Sequence, residues 1–228
     1  MKEIHFYFDF ISPYAWLAFQ ALPQTLKGIS HEVHYHPVVF GAMLKHHGQL
    51  GPAEILGKRD WTYRQVMWLA KHQGTDLKMP AAHPFNSLAL LRLAVAAAGT
   101  KASSNMQGQP NRYVVETIFR HVWCEGLDAA DPDRLATLQA HLFSQPSVSF
   151  LDPQSAEVKQ LLQQQTQQAI DLGLFGVPSM VVDGQVFWGN DALPMLRAYL
   201  EGDAWFESAD WRDAGKLPVG IRRAPAAK

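Results

Sequence analysis

The order of segments at the two ends of the chain is the feature that most constrains its fold. Residues 4–10 are aromatic and β-branched and predict a strand, a helix follows from Ser12 onward, and residues 31–39 predict a second strand. Such a β-α-β unit favours parallel pairing of its strands. Near the other end, residues 179–183 and 185–188 flank Asp183-Gly184, which predicts a hairpin, and a last helix is expected over 192–201.

The long middle part of the chain is predicted to be helical. Its expected helices cover 61–73, 86–98 and 113–123, and Asp131-Pro132 and Asp152-Pro153 each predict another helix start, because aspartate caps a helix and proline suits its first turn. A polar loop is expected over 100–111, between the helices at 86–98 and 113–123. The sequence therefore predicts an α/β fold in which a thioredoxin-like domain carries an all-helical insertion.

The predicted domain boundaries follow from this pattern. Residues 1–40 and 174–202 form the discontinuous thioredoxin-like domain, residues 41–173 the helical insertion, and residues 203–228 a C-terminal tail whose Trp205 and Trp211 pack on the body. The glutamine-rich tract 163–168 is expected to face water.

Composition narrows the function classes. The chain has 228 residues, a formal net charge of −1 and 47% hydrophobic residues, which suits an ordinary globular core and does not favour nucleic acid or an anionic membrane surface as partner. Its single cysteine, Cys124, excludes an internal disulfide and a multi-cysteine metal site, and is expected to be a small buried hydrophobe within a helix. With no signal peptide and no membrane-spanning stretch evident, a cytoplasmic protein is expected.

Two short motifs occupy the places where a thioredoxin-like redox site would lie. Ser12 and Ala15 of "SPYA" stand at the two cysteine positions of a C-x-x-C motif at the start of the first helix. The segment "GVPS", with Val177 and Pro178, stands where such folds carry a cis-proline loop before the third strand, although the sequence leaves the isomer open.

The loss of both cysteines has a chemical consequence. The chain cannot cycle a disulfide through its own thiols, so the thiol has to come from outside, and glutathione is the candidate cofactor. A helix N-terminus favours negative charge, and the hydroxyl of Ser12 can donate a hydrogen bond to a bound thiolate. A plain helix cap is the alternative interpretation of Ser12.

The segments "FYFDFISPYAWLA", "HPVVFGAMLK", "HPFNSLALLRL", "FRHVWCEGLDAADPDRL" and "FGVPSMVVDGQVFWGND" carry a family resemblance. Over residues 4–200 the chain resembles the glutathione-dependent 2-hydroxychromene-2-carboxylate isomerases, which are related to kappa-class glutathione transferases and to DsbA-like oxidoreductases. The resemblance implies a homodimer and a reaction in which transient thiolate addition converts the chromene carboxylate, or a related aromatic catabolite, to trans-o-hydroxybenzylidenepyruvate, an aromatic keto acid.

The resemblance also implies site residues. Ser12 would contact the glutathione sulfur, the backbone of Val177 before Pro178 would bind the cysteinyl part, and Asn190 and Asp191 would bind the γ-glutamyl end. These last two also suit plain helix capping.

Two further contacts are implied at the other end of glutathione. Lys58 would bind the glycyl side. In "HHGQLGPAE", Gln49 and Pro52 stand nearest to an Asn and a Pro of the family, and this departure points to a different contact or substrate.

Other interpretations stay open at this point. A kappa-like transferase or peroxidase acting on another electrophile is one, and a thioredoxin-fold protein that binds a thiol peptide without chemistry is another. The aromatic residues Tyr14, Phe40, Trp61 and Trp68 suit either a core or an aromatic-substrate pocket. His34 and His36 alternate on a strand with no carboxylate nearby, which does not favour a metal site.

Overall fold

A four-stranded mixed sheet lies at the centre of the protein. The computed structural model describes residues 1–99, 107–144 and 150–220. The strands, in the spatial order β2-β1-β3-β4, are β1 (Lys2–Phe8), β2 (His31–Pro37), β3 (Ser179–Val182) and β4 (Gln185–Trp188). Strand β1 pairs in parallel with β2 and antiparallel with β3, and β3 pairs antiparallel with β4, so both the predicted β-α-β unit and the hairpin are confirmed.

Helices connect and cover the strands. They are α1 (Pro13–Thr25), α2 (Phe40–His47), α3 (Leu56–Gln73), α4 (Leu88–Ala97), α5 (Arg112–Trp123), α6 (Pro132–Phe143), α7 (Ala156–Asp171), α8 (Leu193–Leu200) and α9 (Ala209–Ala214), with short 3₁₀ turns at Pro52–Glu54, Asn190–Ala192 and Ala204–Glu207. None of the helices in the described ranges is both long and apolar enough to cross a membrane.

Aromatic side chains fill the space between the sheet and the helices. Phe8 and Phe10 at the end of β1 and Phe19 of α1 all pack on Phe119 of α5, with the ring centroids of Phe10 and Phe119 4.8 Å apart. Leu91 of α4 belongs to the same buried cluster, so the helices between β2 and β3 share a core with the sheet. The proposed domain boundaries stay a prediction.

Three predicted segments differ from the structure. Helix α2 lies directly after β2, where no helix was predicted, and α3 begins at Leu56 rather than at Trp61. Helix α7 is capped by Ser155, whose Oγ accepts from the N–H of Val158, whereas the predicted cap Asp152 only makes a turn. The reason is local: Ser155 offers the same capping oxygen one turn later, where the apolar periodicity starts.

The predicted cap of the last helix is also wrong. Asn190 and Asp191 lie in a 3₁₀ turn, and α8 begins at Leu193, where Pro194 needs no hydrogen bond. This places the two polar residues directly before the helix.

The glutamine-rich tract does not face water throughout. Gln165 and Thr166 are buried, Gln165 donates to the carbonyl of Gly108, and the hydroxyl of Thr166 accepts from the N–H of Val39. A helix in contact with other elements on one side buries some positions whatever their polarity. Hydrogen bonds engage the Gln165 amide nitrogen and the Thr166 hydroxyl, while Oε1 of Gln165 has no partner among the described residues.

The tail folds back on the body as predicted. The rings of Trp205 and Trp211 both pack on Phe206, which contacts Phe187 of β4. The predicted loop residues 100–106 and the tail residues 221–228 lie outside the described residues.

Candidate functional site

A large cavity opens where α1 begins. Its volume is about 1830 Å³, and its walls come from α1, α3, the start of α2 and the loops before β3 and α8. All of the predicted site residues line it, namely Ser12, Gln49, Lys58, Val177, Pro178, Asn190 and Asp191. The fold therefore brings into one place residues from three distant parts of the chain.

Ser12 lies at the N-terminus of α1 and caps it. Its Oγ accepts from the N–H of Ala15 at 3.2 Å, and its hydroxyl is within 3.4 Å of the carbonyl oxygen of Val177. The second contact is at the outer limit of hydrogen-bond length, so the hydroxyl proton is only weakly engaged. Cap and donor are compatible roles, because one uses the oxygen lone pair and the other the proton.

The Val177–Pro178 peptide bond is cis. The sequence alone had left its isomer open. Gly176 precedes it, and a Cβ at Gly176 would meet Nε1 of Trp188 at 2.5 Å, well inside van der Waals contact. Only glycine lets the loop pass this close to the indole. Trp188 in turn packs on Phe175 with ring centroids 4.9 Å apart, and both line the cavity.

Asn190 is the unusual polar residue of the cavity. It is only 7% exposed, yet its Oδ1 has no hydrogen-bond partner among the described residues. A buried acceptor without a donor costs about 1–3 kcal/mol, so the position is suited to a ligand that brings an N–H group. Asp191 beside it is exposed and adds a carboxylate to the same wall.

Lys58 and Gln49 also line the cavity. Lys58 projects from the first turn of α3, and Gln49 follows the end of α2, where its N–H donates to the carbonyl of Leu44. Both side chains are exposed. They supply a positive charge and an amide to the cavity.

The aromatic residues divide into two groups. Tyr14, Phe40 and Trp61 line the cavity, and Trp61 is 64% exposed, so it is not a core residue. Trp68 is also exposed but lies outside the cavity, where its ring stacks on His72 at 5.0 Å. An aromatic-lined cavity is therefore present, without Trp68.

Asp9 supports the Ser12 loop and is a residue that the sequence analysis did not single out. It is fully buried, its Oδ1 accepts from the N–H of Ile11 at 3.1 Å, and its Oδ2 accepts from the N–H of Phe40 at 3.0 Å. Burial raises the pKa of Asp9, and these hydrogen bonds oppose the rise. Its place inside the "FDFISPY" motif was the available signal.

His83 holds the same loop from the other side. Its Nε2–H donates to the carbonyl of Ile11 at 2.8 Å, and its Nδ1 accepts from the hydroxyl of Tyr63 at 2.8 Å. Burial lowers the pKa of His83, which keeps this neutral tautomer in place. Its place at the start of the "HPFNSLALLRL" segment was the available signal, but its contact with Ile11, 72 residues away, was not predictable from local sequence.

Cys124 is unsuited to thiol chemistry. It lies at the C-terminal end of α5 rather than within the helix, is buried as expected, and does not line the cavity. Burial raises the pKa of its thiol to about 11, so it stays protonated at neutral pH. In the part of the chain that the structure describes, no group of three or more His, Cys, Asp or Glu side chains could hold a metal ion.

Comparison with known proteins decides the family. A family model described as a DSBA-like thioredoxin domain matches residues 3–201. A 2-hydroxychromene-2-carboxylate isomerase of Sphingobium xenophagum is 30% identical over 207 residues, which cover 87% of this chain and 98% of that protein. The chain belongs to the DsbA-like thioredoxin family and, within it, to the 2-hydroxychromene-2-carboxylate isomerases. The predicted family is thereby confirmed, as are the fold class and the prediction of an isomerase-type enzyme.

Two further similarities belong beside this one. A kappa-class glutathione S-transferase of Caenorhabditis elegans is 24% identical to this DsbA-like protein over 211 residues, covering 87% of this chain and 92% of that one. A solved structure of a 2-hydroxychromene-2-carboxylate isomerase superposes with a TM-score of 0.69 at 24% identity, covering 92% of this chain and 98% of that chain, which supports the shared fold.

Proposed function

We propose that this isomerase-family protein uses glutathione to convert 2-hydroxychromene-2-carboxylate, or a related aromatic catabolite, to trans-o-hydroxybenzylidenepyruvate. The observation that carries the proposal is the meeting of the Ser12 hydroxyl with the Val177–Pro178 peptide in a cavity that the chain's one cysteine does not line. Relatives named for this isomerase, and others named as glutathione S-transferases, support it. A cytoplasmic location and a homodimer belong to the same proposal and rest on family resemblance.

The cavity walls fit glutathione in three places. The backbone of Val177 offers polar groups to the cysteinyl amide, as an extended peptide would require. The unpaired Oδ1 of Asn190 and the carboxylate of Asp191 suit the α-ammonium of the γ-glutamyl end. Lys58 suits the glycyl carboxylate, and the amide of Gln49 lies on the same wall.

When bound, glutathione supplies the thiolate that adds reversibly to the conjugated double bond of the ring-opened keto acid and leaves unchanged after rotation about that bond. The hydroxyl of Ser12 donates to the sulfur and, with the free N–H groups at the start of α1, favours its negative charge. Phe40 and Trp61 line the cavity and offer aromatic surface to the substrate ring. Asp9 and His83 keep the Ser12 loop in one conformation.

A kappa-like glutathione transferase acting on another electrophile is the second candidate. The similarity to a named kappa-class enzyme over nearly the whole chain favours it, and the same thiolate site would serve both reactions. The replacement of the family's Asn by Gln49 in the loop after α2 is where the substrate preference would differ.

The absorbance of 2-hydroxychromene-2-carboxylate separates these functions. Turnover that requires both protein and glutathione supports the isomerase, and its absence excludes it. Conjugation of chlorodinitrobenzene without chromene turnover identifies a transferase instead. If neither substrate reacts while calorimetry detects glutathione, the protein is a binder of thiol peptides without catalysis.

A further inference from the structure

A second cleft carries basic side chains that the proposed isomerase site does not use. It lies between α2, α4 and α7, has a volume of about 530 Å³, and is lined by Lys45, His46, Arg92 and Lys159. Its lining, all of it within the described ranges, contains no carboxylate. This is a local excess of positive charge in a chain whose formal net charge is −1.

Arg92 on α4 is the most informative of these residues. The Nε atom of its guanidinium is buried and has no hydrogen-bond partner within the ranges that the structure describes. Arginine stays protonated at any physiological pH, and a buried donor without an acceptor is costly. The walls of the cleft therefore supply no hydrogen-bond acceptor to the Nε–H group of Arg92.

Lys45 on α2 and Lys159 on α7 also line the cleft, and both are exposed. Neither side-chain ammonium forms an ion pair or a hydrogen bond with any residue that the structure describes. Elsewhere in the described ranges, Arg112 of α5, Arg134 of α6 and Arg197 of α8 each pair with a glutamate. The cleft thus gathers three cationic side chains that have no ion-pair partner among the described residues.

We propose that the cleft binds a small dianionic oxyanion, with the phosphate group as its chemical class. A guanidinium and two ammonium groups match the several oxygens and the double charge of a phosphate. A single carboxylate would leave two of the three cations without a partner. The amide of Gln163, also in the lining, adds a hydrogen-bond donor.

The cleft is a separate site with a common wall. Val39 and Leu88 line both this cleft and the cavity at α1. The N–H of Val39 donates to the hydroxyl of Thr166 in the cleft, and the next N–H, that of Phe40, donates to Asp9 beneath the Ser12 loop. The proposal does not depend on the isomerase activity.

Calorimetric titration of the full chain with inorganic phosphate tests the site. At about 0.15 M salt, where long-range charge effects are screened, saturable binding is expected. Arg92→Met is expected to weaken it at least tenfold and Lys45→Met or Lys159→Met several-fold, whereas Lys71→Met, an exposed lysine of α3 outside both cavities, should leave it unchanged. Absence of saturable binding, or equal affinity in Arg92→Met, would overturn the proposal.

A second variant, a second ligand and a control variant complete the test. If Arg92→Met does not fold, the double variant Lys45→Met/Lys159→Met decides, because both side chains are exposed and their loss should leave the thermal midpoint in place. Glycerol 3-phosphate in place of inorganic phosphate distinguishes the source: tighter binding of the ester identifies a phosphorylated metabolite, and tighter binding of phosphate the free ion. Ser12→Ala should bind phosphate normally, which separates this site from the proposed function.

Discussion

The hydroxyl of Ser12 lies 3.4 Å from the carbonyl oxygen of Val177, although 165 residues separate the two in the sequence. This contact joins the N-terminus of α1 to the cis peptide before β3. Both are places where backbone polar groups face a cavity, and a sulfur held between them would meet the Ser12 proton and the start of the helix together.

Ser12→Ala tests that relationship. We expect kcat for glutathione-dependent isomerisation to fall by about 10²-fold, in the range found for loss of a single charge-stabilising donor. Glutathione affinity should change far less, because most of the tripeptide binds elsewhere in the cavity. Substrate absorbance gives kcat, and calorimetry gives the affinity.

Ser155→Ala is the matched control for that variant. Ser155 caps α7 with the same geometry, its Oγ accepting from the N–H of Val158 at 3.2 Å, but it lies outside the cavity. Both variants should lose about 1 kcal/mol of stability. Only Ser12→Ala should lose turnover, and an unchanged kcat would reduce Ser12 to a helix cap.

Asn190→Leu tests the unpaired oxygen in the cavity wall. The substitution keeps the branched shape of the side chain and removes a buried acceptor that has no donor, so the ligand-free protein should keep or raise its thermal midpoint. The KM for glutathione should rise by about tenfold, corresponding to about 1.4 kcal/mol. Thermal unfolding and initial rates measure the two effects.

Asn111→Leu should show the opposite pattern. Asn111 caps α5 by accepting from the N–H of Val114, and it is absent from the cavity lining. Its loss should lower stability by about 1 kcal/mol and leave the glutathione KM unchanged. If instead Asn190→Leu destabilised the protein without altering KM, Asn190 would have a structural role only.

Gly176→Ala is expected to displace Trp188. The new Cβ would lie 2.5 Å from the indole Nε1, so the ring must move and the cavity wall with it. We expect a shift of tryptophan fluorescence and a lower kcat/KM. Gly57→Ala is the control, because nothing lies within 4 Å of a Cβ there and no positive φ is required. Wild-type fluorescence and kinetics in Gly176→Ala would show that the loop yields instead of the indole.

Histidines on the sheet should make stability fall in acid. Nδ1 of His5 lies 3.0 Å from Nε2 of His36, whose ring also stacks on Tyr7 at 4.5 Å, and His34 stacks on His5. Burial, followed by repulsion from His5 and His34, lowers the pKa of His36 from 6.5 to about 3. Between pH 6.5 and about 3 the unfolded chain therefore binds more protons than the folded protein. Stability is lost as pH falls through this range, by at most about 5 kcal/mol.

His36→Gln measures that contribution, since glutamine can keep a hydrogen bond to His5 and does not titrate. Urea unfolding between pH 7 and pH 4 should show a flatter pH dependence than in the wild type. His31→Gln, at the exposed start of β2, should retain the wild-type slope. Equal slopes in all three proteins would show that His36 is not the group responsible.

Local chemistry explains why much of the site could be predicted. Ser12 before Pro13 is recognisable as a helix start, and Asp183-Gly184 as a hairpin turn, because capping and turn preferences act over a few residues. The same local reasoning was wrong for Asp152 and Asn190, where two capping residues competed or a 3₁₀ turn intervened. Helix α2 was missed because its short apolar pattern follows directly from β2.

The sequence by itself determined the strands, most of the helices, the family and the loss of the cysteines at the start of α1, since each depends on neighbouring residues or on motif identity. Only the tertiary structure decided that His83 supports Ile11, that the Oδ1 of Asn190 is buried without a donor, and that Arg92 faces a cleft without carboxylates. Burial and pairing depend on groups brought together from distant parts of the chain, and no local preference encodes them.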